Sequence, residues 1–330
     1  MAVKTISLVL AAAVLLPRVG AAQMLTREAE ISGGHSSEDL QAGGVQVRLF
    51  GTVAGGWRVY LEGSWAGVTR SGSDAFGAAF PYDQRLRPME LYAEKIGRPK
   101  NLLFGVRAGR YRLPFGIYSR SEHGYSGFTR APLIRYGGNW ALSNNALEAG
   151  ASVLAGVPAF TVETSVGVPS DSGDDPRPKT LDTAVRAQAY RGTLIVGASY
   201  LNTRAYAEGP WVEGRTAFGG VDGRWMQFGV QLRGEWLFGR PFNGVATYGG
   251  YVDLSVHRRR MGPFTAVARA ERLDYEAGEH SSYMRRYTAG TRVRISRDLS
   301  LQVNILHQPG GFTDGRQLAA DVGLTSTFRF

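Results

Sequence analysis

The chain has 330 residues, 43% of them hydrophobic and 20% charged, with a formal net charge of +10, 44 glycines and no cysteine. The lack of cysteine excludes disulfides and thiolate chemistry, and the length suits one large domain or two small ones. Glycine is about twice its usual share of roughly 7% and shows no collagen-like period.

The first segment, MAVKTISLVLAAAVLLPRVGAAQ, has the order of a secretory leader: Lys4, an apolar run from Ile6 to Leu16, then small residues at Gly20 and Ala22. Residues 1–22 are therefore expected to be a signal peptide and 23–330 a single domain. Losing Lys4 and Arg18 would lower the formal charge by two. No later apolar run reaches 18 residues, so no transmembrane helix is expected. A strand barrel would still cross a membrane without one.

Period-2 alternation recurs along the rest of the chain. Trp57, Val59, Leu61, Gly63 and Trp65 alternate with Arg58, Tyr60, Glu62 and Ser64. Further on, Leu181, Thr183, Val185, Ala187 and Ala189 oppose Asp182, Ala184, Arg186, Gln188 and Tyr190. Near the end, Leu299, Leu301, Val303 and Ile305 oppose Ser300, Gln302 and Asn304. About 15 such segments lie near 42–52, 55–66, 87–97, 101–112, 146–156, 159–168, 181–191, 193–203, 214–223, 225–238, 245–257, 262–275, 284–296, 299–308 and 317–330. Many run to 10–13 residues, against a usual strand of about 5–6 in soluble sandwiches. That length fits a bilayer crossed at about 45°. Short links such as Gly192 and Arg297-Asp298 alternate with long ones, 67–86 and 113–145 among them. The expected fold is all-β: a transmembrane antiparallel up-and-down barrel of about 16 strands, with 14 as the alternative. An even count requires either a strand hidden in 113–145 or one segment that is a loop.

The ending LTSTFRF puts Leu324, Ser326, Phe328 and Phe330 on one face of the last strand. A last strand that closes a barrel pairs with the first and abolishes the sheet edges. In this the chain resembles bacterial outer-membrane barrels, whose terminal strand ends in Phe. The resemblance implies that Leu324, Phe328 and Phe330 are the signal read by the barrel-assembly machinery. Two further stretches resemble the porin O/P-like group of channels. One is Gly109-Arg110-Tyr111-Arg112-Leu113-Pro114-Phe115-Gly116; the other is Ala268-Arg269-Ala270-Glu271-Arg272-Leu273-Asp274, with a later hairpin on Arg297-Asp298-Leu299. Ala270 stands where the group usually has an aromatic, and Asp298 where it has Asn.

The resemblance implies an outer-membrane porin: a water-filled channel for passive diffusion of small hydrophilic solutes. The family's phosphate selectivity does not carry over, but the net excess of base favours anions mildly. Selectivity in such a channel comes from charged rings on the lumen face and from an inward loop. Candidate lumen and constriction residues are Arg107, Arg112, Arg120, Arg130, Arg135, Arg186, Arg233, Arg269, Arg292 and Arg294. Their fixed charge and bidentate geometry suit anions. Acids on the same phase, including Glu62, Glu90, Glu94, Glu148, Glu163, Asp182, Glu235, Asp253 and Glu271, would instead pair with them. The loop 113–145, rich in aromatics and arginine, is expected to fold inward. The implied partners are outer-membrane lipid and lipopolysaccharide, the assembly machinery, small hydrophilic or anionic solutes, and further copies in a homotrimer, with trimer against monomer open. Arg258-Arg259-Arg260 reads as a turn at the membrane surface rather than a nucleic-acid site.

Neither a metal nor a cofactor is expected, since the five His show no ligand spacing. A plugged structural or adhesive barrel is the alternative. A barrel lipid hydrolase using Ser255 and His257 is the remaining one.

Overall fold

The computed structural model describes residues 24–38, 40–69, 86–117, 127–135, 147–170, 181–203, 216–242, 245–277, 280–309 and 316–329. Among them run sixteen strands. They are β1 (Met24–Ser36), β2 (Leu40–Thr52), β3 (Arg58–Val68), β4 (Leu86–Gly97), β5 (Leu103–Arg112), β6 (Leu147–Val157), β7 (Phe160–Pro169) and β8 (Asp182–Arg191). The others are β9 (Leu194–Thr203), β10 (Thr216–Gln227), β11 (Val230–Phe242), β12 (Val245–Val256), β13 (Phe264–Ala277), β14 (His280–Arg294), β15 (Leu299–Pro309) and β16 (Arg316–Arg329). Each pairs antiparallel with its chain neighbours, and β1 pairs with β16 from Glu28↔Arg329 to Ser36↔Asp321, so the sheet closes. Closure leaves no free edge, which lets a sheet cross lipid. A strand of about twelve residues, at ~3.4 Å each and tilted about 40°, rises roughly 30 Å, the thickness of a hydrocarbon core.

The burial pattern is that of a soluble domain turned inside out. Outward-facing Leu318 is 72% exposed and Ile305 60%, while inward-facing Asn304, Asp321 and Arg286 are 0–1% exposed. An apolar outer band over a polar interior is the arrangement lipid imposes. No helix among the described residues is long and apolar enough to cross a membrane; the strands cross instead.

The even count is completed by β1, not by a strand within 113–145. In β1 the outward positions are Leu25, Arg27, Ala29, Ile31, Gly33 and His35. Only Leu25, Ala29 and Ile31 are apolar, so the alternation that marks the other strands is faint there. The break near 224 is also misplaced: β10 runs on to Gln227, and Phe228-Gly229 form the hairpin turn, with Phe228 at φ 51°. The link expected at 276–283 shrinks to 278–279. Residues 1–22, Arg120 and Phe330 lie outside the described residues.

The connections between even-numbered strands and the strand that follows each are short, and the chain's two described ends lie at that same end of the barrel. The long connections 70–85 and 113–146 leave from the opposite end. In outer-membrane barrels the short turns face the periplasm and the long loops the exterior.

Gly109, in β5 opposite Tyr92, has φ +131°, and a Cβ there would overlap the Leu91 carbonyl oxygen. Gly109→Ala should cost about 2–3 kcal/mol, from backbone strain plus displaced ladder bonds. Gly192, a turn residue at φ 59° with open space around it, should lose only about 1 kcal/mol on the same change. Guanidinium unfolding of both variants in detergent checks the ordering.

Candidate functional site

The segment that follows β5 turns into the barrel. Gly116 makes the turn at φ +62°; a Cβ there would overlap the Glu235 carboxylate, and its N–H donates to Ser199 Oγ on β9 at 3.0 Å. Leu113, Phe115, Ile117, Leu133 and Ile134 then pack against inward-facing apolar residues of β8 to β14, Leu201, Phe218, Leu237, Leu273 and Met284 among them. Burying this apolar surface holds the segment against a wall that is otherwise polar.

The far part of the segment, residues 127–135, is pinned to the opposite side. Asn304 of β15 accepts from the Thr129 N–H at 2.7 Å and donates to the Gly127 carbonyl at 3.2 Å. Arg130 forms a fork on Asp321 of β16, 2.6 and 3.0 Å, and reaches Glu38 at 3.0 Å. Glu271 of β13 accepts from the Leu133 N–H at 2.8 Å and from Arg286 at 2.6 Å, while Arg286 also donates to the Ala131 carbonyl. Arg269 donates to the Arg130 carbonyl at 2.8 Å and stacks over Phe128, 4.0 Å from the ring centre. Arg135, fully buried in a 3-10 turn at Leu133–Arg135, pairs with Glu235 of β11. In a ring of sixteen, β13 is eight strands from β5, the diametrically opposite position. A segment leaving β5 and bonded to β13 crosses the lumen.

The two sequence stretches singled out above are two halves of this device. Leu113 to Gly116 is where the strap enters, and Arg269 with Glu271 is where it is held.

The candidate arginines of the strands face the lumen, and most meet acids there. Arg107 reaches Glu94 at 3.1 Å and Glu163 at 3.4 Å. Arg112 bridges Glu62 and Glu90, both at 2.6 Å. Arg186 pairs with Asp222 at 2.8 Å. Arg233 and Arg269 share Asp253, at 2.9 and 2.5 Å. Such pairs offset most of each other's charge and the cost of leaving water. On the β2–β5 wall an inward row of Phe50, Tyr60 and Tyr92 stacks at 6.4 and 5.1 Å, with Arg107 4.7 Å above the Tyr92 ring.

Arg292 and Arg294 lie toward the short-turn end of β14. With Arg297 and Arg329 they line a cavity of about 400 Å³ at the short-turn mouth, beside the β14–β15 turn and β16. Arg329 pairs with Glu28 at 2.8 Å, and Asp298 is the carboxylate of the lining. Arg258-Arg259-Arg260 also belong to the short-turn end, in the β12–β13 link. Under the orientation rule that end lies over the periplasmic leaflet, away from lipopolysaccharide. His257 sets its Nδ1 against the Phe264 carbonyl at 2.9 Å and Thr265 Oγ1 at 3.3 Å, not against Ser255.

Solved structures share this whole arrangement of strands. OmpF of Salmonella typhi, solved as a complex with daunomycin, matches with a TM-score of 0.67 at 11% identity, over 92% of this chain and 97% of that one. The fold is that of bacterial outer-membrane porins. OprB of Pseudomonas putida matches at TM-score 0.63 and 11% identity, covering 92% of this chain and 93% of that one. An anion-selective porin from Comamonas acidovorans matches at 0.63 and 14%, covering 92% and 99%. No family model and no curated protein matches the sequence.

Within the porin fold, several residues that hold the strap carried no sequence signal of their own. Asp321, Asn304, Glu38 and Arg286 read simply as polar positions of a strand or turn. A usable signal lay in the apolar residues on the inward phase near the long-loop ends, such as Leu201, Leu237 and Leu273. They break the polar-in rule and call for an apolar partner inside the barrel.

Proposed function

We propose that the chain is an outer-membrane porin, a passive channel for small hydrophilic solutes narrowed by the strap at 127–135. The observation that carries this reading is the strap's course from β5 to β13 across a charged, salt-bridged lumen. Solutes pass beside the strap, along the β2–β7 wall with Arg107, Arg112 and the stacked tyrosines. No bond is made or broken.

The same reading moves the source of any anion preference. Paired guanidiniums contribute little net field, so the arginines of strap and wall act mainly as fasteners. Arg294 and Arg297, with no ion-paired carboxylate among the described residues, put net base at the short-turn mouth, where anions would concentrate. The similarity to the anion-selective porin from Comamonas acidovorans agrees with this. Leu324 and Phe328 on the outward face of β16, with Phe330, remain the proposed assembly signal, and a homotrimer the proposed assembly; one of the similar outer-membrane proteins, OmpT of Vibrio cholerae, has a trimer form.

Single-channel recording in planar bilayers under a salt gradient tests this. Wild type should conduct, with a reversal potential on the anion side. Replacing Arg294 and Arg297 together by Gln should move that potential toward zero with little change in conductance. A chain that folds but passes no current would instead be the plugged barrel. A cation-side reversal potential in wild type would remove the anion preference.

A further inference from the structure

The outer face of β10 to β14 carries a depression of about 480 Å³. Gly223, Gly234 and Ala270 leave its floor with little side-chain bulk; Trp236, whose ring covers Gly250, and Tyr287 stand beside it. At its edge, toward the long-loop end, Arg272 and Arg285 are direct cross-strand partners, and both point outward and are exposed. Two like charges facing each other on one sheet face are unfavourable, and charge on the lipid side of a barrel is more so. Asp274 neutralises Arg272 at 2.6 Å. Glu276 accepts from the Tyr248 hydroxyl at 2.6 Å. Arg285 lies over the Tyr283 ring, 4.9 Å from its centre, and no carboxylate among the described residues is in ion-pair reach of it. Among the described residues the pair therefore keeps one guanidinium, that of Arg285, without an ion-paired carboxylate.

The height of the pair on the barrel narrows what neutralises it. Phe264 marks the lower end of the outward row of β13, which continues through Ala266, Ala268 and Ala270 and turns polar at Arg272, Asp274 and Glu276. Eight residues at ~3.4 Å and about 40° of tilt put Arg272 roughly 20 Å above Phe264, near the upper limit of an apolar band about 25 Å tall. Tyr248 and Tyr283 border it on the outer side, where aromatics favour the lipid–water boundary. Lipid headgroup phosphates lie at that level, and paired guanidiniums bind phosphate through several charge-assisted bonds. Below them, the depression is floored by glycine and alanine on the outward face of β10 to β13.

We propose that Arg272 and Arg285 bind the phosphate of an outer-leaflet glycolipid, with one acyl chain of that lipid lying over Gly223 and Gly234. The site needs the barrel to be in its membrane and does not rest on what the lumen carries.

The test uses delipidated barrel in mild detergent, titrated with lipid A and followed by native mass spectrometry. Wild type should keep a lipid adduct that Arg272→Gln/Arg285→Gln loses by about tenfold or more, the scale of removing a charge-assisted contact. The corresponding double Lys variant should retain part of it. Gly234→Phe, which fills the slot and leaves both charges, should weaken the adduct as well. Unheated gel mobility and unchanged single-channel conductance show that each variant is folded, so loss of lipid is separable from loss of the pore. Equal retention by the double Gln variant overturns the site. Equal binding of dephosphorylated lipid A also overturns it. If millimolar inorganic phosphate displaces the lipid completely, the site is for free phosphate, and the acyl-chain slot is refuted.

Discussion

Arg135→Ala should lower the stability of the barrel by about 3–5 kcal/mol, because it strands a fully buried carboxylate. Both side chains of the Arg135–Glu235 pair have no solvent exposure, so water cannot replace the lost guanidinium. Arg135 also lies 5.7 Å from the Phe115 ring centre and so ties the two arms of the strap together. Losing it should release the strap from β11, raising single-channel conductance and its noise. The net worth of the pair is a different quantity from the cost of breaking it. Arg135→Met combined with Glu235→Leu should therefore recover most of the lost stability while conductance stays closer to wild type. Guanidinium unfolding followed by Trp fluorescence reads the first effect, and bilayer recording reads the second. A destabilised variant with unaltered conductance would show that the strap does not set the bore.

Asp253→Asn should have an effect of similar size with a different signature. One carboxylate accepts from Arg233 at 2.9 Å and from Arg269 at 2.5 and 2.9 Å. The amide retains a single acceptor and no charge, so two guanidiniums are left facing each other. Arg269 is almost completely buried, and an uncompensated charge there costs about 3–5 kcal/mol. The local formal charge rises from +1 to +2, so the reversal potential should shift further to the anion side. Arg233→Gln added to Asp253→Asn should return that potential toward wild type, because it removes the second cation. Selectivity unchanged in the single variant would place this cluster outside the solute's path.

Much of the fold was legible in the sequence because lipid is a severe solvent. It requires an apolar side chain at every second position of each spanning strand, and Val45 to Leu49, Trp57 to Trp65 and Leu299 to Ile305 show that rule plainly. It also requires the sheet to close, which gave meaning to the alternation of β16. Where the rule relaxed, reading failed. β1 carries Arg27, Gly33 and His35 outward, so its alternation is too faint to mark a strand. Phe228 sits in a hairpin turn at positive φ, a place where residue type misleads.

The candidate site divides in the same way. The inward phase of Arg107, Arg186, Arg233 and Arg269 follows from strand periodicity alone. Their partners do not, because ion pairs such as Arg107–Glu163 and Arg130–Asp321 join residues 56 and 191 positions apart. Whether an arginine is a free cation in a pore or a neutralised fastener depends on those long-range neighbours. The same holds for Arg272 and Arg285, which become a lipid-facing pair only when β13 and β14 settle into register.

By itself the sequence determined the class of fold, the lumen and lipid phases of its strands, and the stretch from which an inward loop leaves. Those properties are local: each is written in side-chain alternation over ten or so residues. Only the tertiary structure decided which strand completes the ring, where the strap lands, and which charges remain uncompensated. Those outcomes rest on register and closure, which bring distant residues within hydrogen-bonding distance and which no local pattern encodes.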